Sequence, residues 1–416
     1  MDLNTLTKIL NLPDYKVTQI ISITDTQMHL RIEPRKQKKA ICSGCGEIHT
    51  KGYHSEKEVI VEDLAISARR VFLHVKKRLY RCPKDQRIYT EKIAWLNKSS
   101  RFTYRFSNEV NRLTAITTNQ EAGWYLGLDD EVVYRIDKEM LTEQAKKKLI
   151  PTPKAIHLSV DEVSYKKYHR YLTNVIDLDQ RLVIWNAKGR KQEVLNQYYQ
   201  GLGEDCKKIK SVALDGAKHY ISSTSKYAVN ALIVYDKFHV IQRLNQTVDR
   251  VRKEELARAS EEGKQELVEL TNCKQRFILL KNKNKLTEKQ RGYLDKLYQI
   301  NRPIYEAMLL KESFLEIYNY KKVEEAKECL ENWIAQALSS GLKAFMELGH
   351  KFSEKKDYIL NWFKKKISSA ISEGFNNKIK RLKRMAYGYK DINYFRLKIH
   401  QHCGLLNPRL NTINAT

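Results

Sequence analysis

The chain has 416 residues, and its 76 Lys and Arg against 49 Asp and Glu give a formal net charge of +27. This length can bury a large core and predicts two or three domains. The positive excess indicates a polyanionic partner, and nucleic acid is the usual one. Membrane binding is less favoured, because no apolar run approaches the length of a bilayer span.

Two further features bear on the cell compartment. The N-terminus, MDLNTLTKILNLPDYKV, lacks the basic head and apolar run of a secretory signal. The seven cysteines are mostly unpaired in spacing, which is typical of a reducing cytosol rather than of a disulfide framework. We therefore expect a cytoplasmic protein.

Residues 1–95 are predicted to form a small, mostly β module. The segments MHLRIEP, VIVEDL and RRVFLHVKKRLYRC alternate apolar and polar residues, as half-buried strands do. Cys42-Ser-Gly-Cys45 lies between the first two segments, and Cys82 ends the third. This pattern resembles a zinc ribbon, with Cys42, Cys45 and Cys82 as candidate zinc ligands.

The second cysteine knuckle is incomplete, because Asp85 stands where another cysteine is expected. The candidates for a fourth ligand are Asp85, His49 and His54. The alternative is a β module that binds no zinc.

Residues 100–150 are predicted to be helical. One helix is expected over Tyr104–Ile116 and a second over Asn119–Leu126, which ends at Gly127. Asp129–Glu131 then opens a third helix. A short helix, a glycine turn and an acid-capped helix are typical of a helix-turn-helix.

The third helix is the candidate recognition helix. It carries Tyr134, Arg135 and Lys138 as candidate DNA-binding residues. The alternative is an ordinary helical linker. Pro151 and Pro153 then mark a domain boundary.

Residues 154–240 predict an α/β arrangement in which three apolar strands each end on an acid. These acids are Asp161, Asp215 and Asp236. Acids at the carboxyl ends of parallel strands lie at the crevice where α/β proteins react with their ligands. For any one acid the alternative is a helix cap or a turn. A hairpin with its turn at residues 177–180 separates the first two of these strands.

Residues 241–360 show helical periodicity with interleaved charges and predict a helical insertion, with a loop at Lys281–Lys285. Residues 361–400 return to the core, and residues 404–416 are expected to be an unstructured tail. Ser368–Arg384 is predicted to be an amphipathic helix. Its apolar stripe is Ile371, Phe375, Ile379 and Leu382, and its opposite face is Glu373, Asn377, Lys380 and Arg384.

Convergence of Asp161, Asp215 and Glu373 would create a hard oxygen site that suits Mg²⁺ better than zinc. Two such ions about 4 Å apart can activate an attacking oxygen and stabilise a leaving one. The reaction that needs this arrangement is in-line phosphoryl transfer on a charged backbone.

Four blocks carry a specific resemblance: SVDEVSYKKYHRYLTNVIDL, ALDGAKHYISS, YDKFHVIQRLNQTVDRVRK and SEGFNNKIKRLKRMAYGYKDINYFRLKI. They resemble the DDE transposases of the ISL-three insertion-sequence family, and the resemblance covers most of the chain. It implies Asp161, Asp215 and Glu373 as the catalytic triad. The implied fold is an RNase H-like α/β core interrupted by an all-helical insertion and preceded by a zinc-ribbon-like module and a helix-turn-helix.

The resemblance also assigns accessory residues. Asp236 and His239 match a D-x-x-H element of related transposases, in which His239 would contact the scissile phosphate or a flipped flanking base. The alternative is that Asp236 caps a helix and bonds His239 locally. Lys380, Lys383 and Arg384 would hold the DNA backbone near Glu373. The chain departs from the family pattern at Asp85, which affects zinc rather than catalysis.

The implied activity is cleavage at the terminal inverted repeats of an insertion sequence and joining of the 3′ ends to target DNA. Two Mg²⁺ ions are the implied cofactors, with structural zinc in the ribbon. The implied partners are double-stranded DNA and further copies of the chain, as a homodimer or larger assembly, at the prokaryotic nucleoid. The alternatives are a non-catalytic DNA-binding protein derived from a transposase and a structure-specific nuclease on the same fold.

Overall fold

The protein is described from a computed structural model that covers residues 2–97, 101–149, 155–166, 170–272, 276–281, 283–367 and 370–408. The chain divides into two compact units, Met1–Lys147 with Leu406–Thr416, and Lys148–Leu405. The predicted boundary at Pro151 and Pro153 lies outside the described residues. Among the helices in these ranges, none has the length and apolar character that a membrane span requires.

The first unit begins with helix α1 (Leu3–Leu10) and continues as a β module. Its strands are β1 (Tyr15–Ile23), β2 (Gln27–Pro34), β3 (Ala40–Ile41), β4 (Ile48–His49), β5 (Tyr53–Ile66), β6 (Arg69–Arg81) and β7 (Ile88–Thr90). The main sheet has the order β1-β2-β6-β5, with β7 on β6, and β3 pairs with β4. The three strands predicted from alternation are therefore present. Their periodicity reflects burial, since Val71, Leu73 and Val75 of β6 are all fully buried.

Three helices follow: α2 (Tyr104–Leu113), α3 (Asn119–Leu126) and α4 (Asp130–Lys148). α3 begins with a capping box at Thr118 and ends at Gly127, which has a φ of 65°, as predicted. α2 ends at Leu113, three residues before the predicted Ile116. Thr114 is the C-cap, and its buried hydroxyl donates to the Asp137 carboxylate of α4 at 2.6 Å.

The second unit is built on a mixed five-stranded sheet. Its strands are β8 (His157–Lys166), β9 (Arg170–Asp177), β10 (Leu182–Lys188), β11 (Ser211–Leu214) and β12 (Leu232–Tyr235), with helices α5 (Gln192–Leu202) and α6 (Lys218–Tyr227). The order is β10-β9-β8-β11-β12. β8, β9 and β10 are antiparallel neighbours, whereas β11 is parallel to both β8 and β12. The predicted hairpin turn is present, because Asp177 accepts from the amides of Asp179 and Gln180.

A helical region follows the sheet. Its helices are α7 (Lys237–Glu261), α8 (Gln265–Thr271), α9 (Arg276–Leu280), α10 (Glu288–Ile300), α11 (Arg302–Ile317), α12 (Val323–Ser339), α13 (Lys343–Glu354) and α14 (Lys356–Lys364). Their core is aromatic, with the rings of Phe314 and Trp333 4.7 Å apart at a steep angle. The predicted loop at Lys281–Lys285 contains a short 3₁₀ turn over Lys283–Lys285.

The chain returns to the sheet through α15 (Ala370–Met385) and α16 (Ile392–Cys403). The predicted stripe of α15 packs against residues of β8, β9 and α16, with Ile379 and Leu382 buried. The opposite face, which includes Glu373 and Lys380, is exposed as predicted. Residues 404–408 are not a free tail, since Gly404 bridges to Val183 and Leu406 is buried. The rest of the predicted tail lies outside the described residues.

Candidate active site and metal-binding cluster

Three aspartates lie level with one another on three neighbouring parallel strands. Asp161 lies in the middle of β8, whereas Asp215 and Asp236 directly follow β11 and β12. Ala213 of β11 pairs with Ser159 of β8, so the ladder extended by two residues brings Asp215 opposite Asp161. Leu214 pairs with Tyr235 of β12, so Asp215 is likewise level with Asp236. We call these three residues (Asp161, Asp215 and Asp236) the carboxylate edge. Asp215 and Asp236 follow their strands as predicted. The predicted strand end at Asp161 is wrong, because β8 continues to Lys166 in its pairing with β9.

The turn after β11 depends on Gly216. Its φ is +77°, and a Cβ there would meet the Tyr235 ring at 2.7 Å. Asp215 accepts the Ala217 amide at 2.9 Å, which fixes the turn that leads into α6. The glycine therefore lets the chain leave the strand directly after the carboxylate.

Asp161 is held from two sides. Its Oδ1 accepts the Glu162 amide at 2.7 Å, and its Oδ2 accepts Nδ2 of Asn376, in α15, at 2.7 Å. Burial raises the pKa of Asp161, and the carboxylates of Asp215 and Asp236 act in the same direction, whereas His239 opposes the shift. The charges of Asp215, Asp236 and His239 are therefore close enough to Asp161 to change its pKa.

Asp236 is buried and begins α7, where its side chain accepts the Phe238 amide at 3.2 Å. His239 lies one turn further on, with Nε2 3.8 Å from Oδ2 of Asp236. The helix cap and the local contact are thus present at the D-x-x-H element. Since His239 also acts on the pKa of Asp161, it lies beside the carboxylate edge as well.

A second acid, Glu162, was not singled out as a site residue by its sequence position. Its carboxylate lies 3.6 Å from Nε2 of His219. Burial raises the pKa of Glu162 to about 6, with a further rise from Asp215, while Tyr220 and Arg190 oppose it. Because successive side chains of a strand point to opposite faces, Glu162 leaves the strand on the other face from Asp161 and meets His219 of α6.

The helical region contributes a cation. Lys355, at the junction of α13 and α14, donates from Nζ to the Gly216 carbonyl at 2.5 Å. Its ammonium also lies 5.4 Å from the centre of the Tyr235 ring. Burial lowers the pKa of Lys355, and Asp215 opposes that shift, so the ammonium lies near the carboxylate edge. No pattern in the sequence distinguishes Lys355 from its neighbours.

Glu373 is exposed on α15, one helical turn before Asn376. Three residues of helix correspond to about 4.5 Å along the axis and about 60° of rotation, so Glu373 is a near neighbour of Asn376 on the helix surface, on the face away from the buried stripe. Lys383 donates weakly to the Ser164 carbonyl at 3.4 Å, and Lys380 and Arg384 are exposed. These cations therefore lie along the same helix as Glu373.

In the first unit, Cys42, Cys45, His49 and Cys82 form a compact cluster. Their potential ligand atoms all lie within 4.8 Å of one another. Although burial acts to raise it, backbone amides of Cys45 and Gly44 and the His49 ring lower the pKa of Cys42 to about 7. Three thiols and one imidazole are a common tetrahedral zinc set, so the cluster fits structural zinc.

The cluster resolves the choice of fourth ligand in favour of His49. Asp85 is instead engaged by the Tyr89 hydroxyl at 2.7 Å and by the Arg87 amide at 3.1 Å. His54 contacts the Ser55 hydroxyl at 2.9 Å. Sequence spacing could not select His49, because β3 and β4 must pair before its ring turns toward the thiols.

The candidate recognition helix is anchored by a buried acid. Asp137 accepts from Asn111 at 2.7 Å and from Thr114 at 2.6 Å, which ties α4 to α2. Arg135 is exposed, and Lys138 donates to the Tyr134 hydroxyl at 3.1 Å. The three candidate DNA-binding residues of α4 are thus at least partly accessible.

The fold and these clusters define a mixed α/β protein with a carboxylate-rich sheet edge and a Cys₃His metal-binding cluster. A family model described as "Transposase", for the DDE transposases of the ISL-three type, matches residues 158–399. A second, described as "zinc-finger of transposase IS204/IS1001/IS1096/IS1165", matches residues 38–85.

Two relatives match across most of their length. The chain is 30% identical to the transposase for insertion sequence element IS1001 of Bordetella parapertussis over 364 residues, 87% of this chain and 88% of that protein. It is 26% identical to the transposase for insertion sequence element IS1557 of Mycobacterium tuberculosis over 341 residues, 77% of this chain and 76% of that protein. The chain therefore belongs to the DDE transposase family of the ISL-three insertion sequences, and the resemblance inferred from the sequence is confirmed.

Proposed function

We propose that this protein binds the terminal inverted repeats of an insertion sequence, cleaves DNA at the element ends and joins the 3′ ends to target DNA. The observation that carries this proposal is the carboxylate edge, where Asp161 and Asp215 stand level on adjacent parallel strands. The attachment of α15 to Asp161 through Asn376 brings the helix that carries Glu373 to the same edge. We assign Asp161, Asp215 and Glu373 as the catalytic triad.

We further propose that residues 154–240 and 361–400 form one RNase H-like core and that residues 241–360 are an insertion into it. The supporting feature is topology: an antiparallel meander of three strands is extended by two parallel strands from its first member. The helices α7–α14 all fall between the last of these strands and α15. The insertion thus separates Glu373 from the aspartates in sequence, and the packing of α15 on β8 supports the return of this helix to the core.

The residues at the carboxylate edge fit a divalent metal. Asp161, Asp215 and Glu373 would hold two Mg²⁺ ions, since carboxylate oxygens are the donors that Mg²⁺ prefers. Such ions lower the pKa of the attacking water or hydroxyl and offset its repulsion from the phosphate. His239 would contact the scissile phosphate or a flanking base from the start of α7.

DNA binding would use both units of the chain. We propose that the zinc-ribbon module (residues 1–95) and a helix-turn-helix within residues 100–150 bind the terminal repeats. In the helix-turn-helix, Tyr134, Arg135 and Lys138 would meet base edges and phosphates. Near the triad, Lys380, Lys383 and Arg384 would hold the backbone. Coordinated cutting of two ends requires a homodimer or larger assembly on DNA, located at the nucleoid.

A cleavage assay tests the triad through Glu373. The substrate is a labelled duplex that carries the element's own terminal repeat, incubated with Mg²⁺ or with Ca²⁺. We expect cleavage at the repeat end with Mg²⁺ alone, and its loss in Glu373→Gln because the neutral amide is a poor metal ligand. Glu324→Gln, an exposed change on α12, is the control. Tight binding without cleavage by the wild type would favour the alternative, a non-catalytic DNA-binding protein.

Lys355 provides a second test in the insertion. We expect Lys355→Ala to lower the cleavage rate by about 10- to 100-fold, because loss of its bond to Gly216 misplaces the turn after Asp215 and removes a cation beside the phosphate. The control is Lys356→Ala, whose ammonium pairs with Glu331 at 2.6 Å in the helical region. Equal rates for the two variants in single-turnover assays would contradict a role for Lys355.

A further inference from the structure

Asn376 makes two contributions that the assigned triad does not include. Its Nδ2 donates to Oδ2 of Asp161 at 2.7 Å. Its Oδ1 is buried and, among the described residues, accepts no hydrogen bond. Because a carboxylate only accepts hydrogen bonds, the amide must present its nitrogen to Asp161, which determines the orientation of the amide group.

A buried amide oxygen without a donor is costly, since it gives up hydrogen bonds to water without replacement. Such an atom in a native protein calls for an explanation, and a bound ion or water is one of the usual ones. Here the oxygen belongs to the side chain that contacts a candidate metal ligand. It is also the kind of donor that Mg²⁺ accepts alongside carboxylates.

The backbone beneath Asn376 is firmly placed. Ser372, one turn earlier, donates its hydroxyl to that of Ser159 in β8 at 2.7 Å, and both side chains are buried. One turn later, Ile379 is buried against the sheet. The amide is therefore held between two fixed turns of α15, as a preorganised ligand requires.

We infer that Asn376 is a member of the metal site: its nitrogen positions the Asp161 carboxylate and its oxygen binds the divalent cation held there, directly or through a water. This inference rests on the proposed function, because it requires a metal at Asp161. It adds a neutral ligand beside the three acids. A neutral oxygen supplies coordination without adding to the negative charge that the DNA phosphate must approach.

An asparagine in the helical region offers a matched comparison. Asn319 is exposed in the turn after α11, so Asn319→Ala changes the same residue type away from the carboxylate edge. Asn376→Leu nearly preserves side-chain volume while it removes both polar atoms. Asn376→Ala removes the same atoms and leaves space.

The test is direct binding of Mn²⁺ to the full chain, followed by electron paramagnetic resonance and calorimetry. We expect Asn376→Leu and Asn376→Ala to weaken Mn²⁺ binding by about 10- to 100-fold, as loss of an outer ligand contact does in other metal sites. Asn319→Ala should bind as the wild type does. Asn376→Leu should also keep the thermal midpoint close to that of the wild type, because removal of an unsatisfied buried oxygen offsets the lost hydrogen bond to Asp161.

The outcomes separate this inference from the proposed function. Wild-type affinity in both Asn376 variants, together with weakened binding in Asp161→Asn, would overturn the role of Asn376 and leave the carboxylate site intact. Absence of Mn²⁺ binding that depends on Asp161 in any form of the chain would overturn the metal site itself. Weakened binding in Asn376→Leu with an unchanged midpoint would establish a metal-site role rather than a structural one.

Discussion

Replacement of Asp215 by Asn is expected to lower cleavage at the element end by about 10³-fold or more, because the triad acts as a unit and loss of one member removes most of its effect. The fold should survive the change. The Asp215 carboxylate accepts the Ala217 amide at 2.9 Å, and the oxygen of an asparagine side chain can accept the same bond. Binding to the terminal repeat should remain nearly unchanged, since the negative charge serves metal binding and not the turn.

The measurement is single-turnover cleavage beside a gel-shift titration on the same labelled duplex. Asp179→Asn is the matched control, because Asp179 is an exposed aspartate in the hairpin turn of the same sheet. Cleavage by Asp215→Asn at the rate of the Asp179 variant would remove Asp215 from the triad. Loss of binding together with loss of cleavage would show that the turn, rather than the metal site, depends on the charge.

The strands before the aspartates could be predicted from the sequence, whereas the register that aligns the aspartates with one another could not. The apolar run before Asp215 identifies β11 and its carboxyl end, whereas the run before Asp161 identifies the first half of β8 but not its continuation to Lys166. The register that makes the two residues level depends on pairing between Ala213 and Ser159, which are 54 positions apart. Local patterns do not encode such long-range pairing, so convergence could only be an expectation.

For the helix that carries Glu373, the sequence likewise predicts the element but not which of its residues contacts the site. Its apolar stripe predicts the buried face correctly, and Ile379 lies in the core as expected. For a residue beside the apolar stripe, the helical periodicity does not say whether its side chain contacts the sheet or faces solvent. Asn376 lies at that flank, and nothing in the sequence separates it from Asn377, although only Asn376 contacts Asp161. Tertiary packing decides which of two identical neighbours joins the site.

The first unit was predicted least well at its metal cluster. The spacing of Cys42 and Cys45 indicates a knuckle, but the cysteine missing after Cys82 left the fourth ligand open. The sequence drew attention to Asp85 because it occupies the expected position. In the structure the fourth position comes from the first knuckle, through His49 at the end of β4. The first knuckle supplies Cys42, Cys45 and His49, and the second supplies only Cys82. A motif that expects two cysteines from each knuckle cannot identify this set.

Replacement of His49 by Ala is expected to release zinc from the first unit and to unfold the β3–β4 ribbon and both cysteine knuckles, which lie within residues 38–85. Structural zinc contributes about 10–16 kcal/mol of apparent folding free energy in zinc-finger peptides at pH 7, which exceeds what the short β3–β4 ribbon can supply by packing. Zinc content per chain and amide hydrogen exchange over this region are the measurements. Binding to the terminal repeat should weaken, whereas the carboxylate edge belongs to the other unit and should still bind Mn²⁺.

Two control variants change the other candidates for the fourth zinc ligand. His54→Ala removes a histidine whose ring contacts Ser55 in β5, and it should retain zinc. Asp85→Asn changes the residue that occupies the position of the missing cysteine, and it should also retain zinc because its carboxylate is engaged by Tyr89 and the Arg87 amide. Zinc loss in Asp85→Asn with full zinc content in His49→Ala would replace the Cys₃His set with Cys₃Asp. Full zinc content in all three variants would mean that the thiols of Cys42, Cys45 and Cys82 suffice to hold the ion.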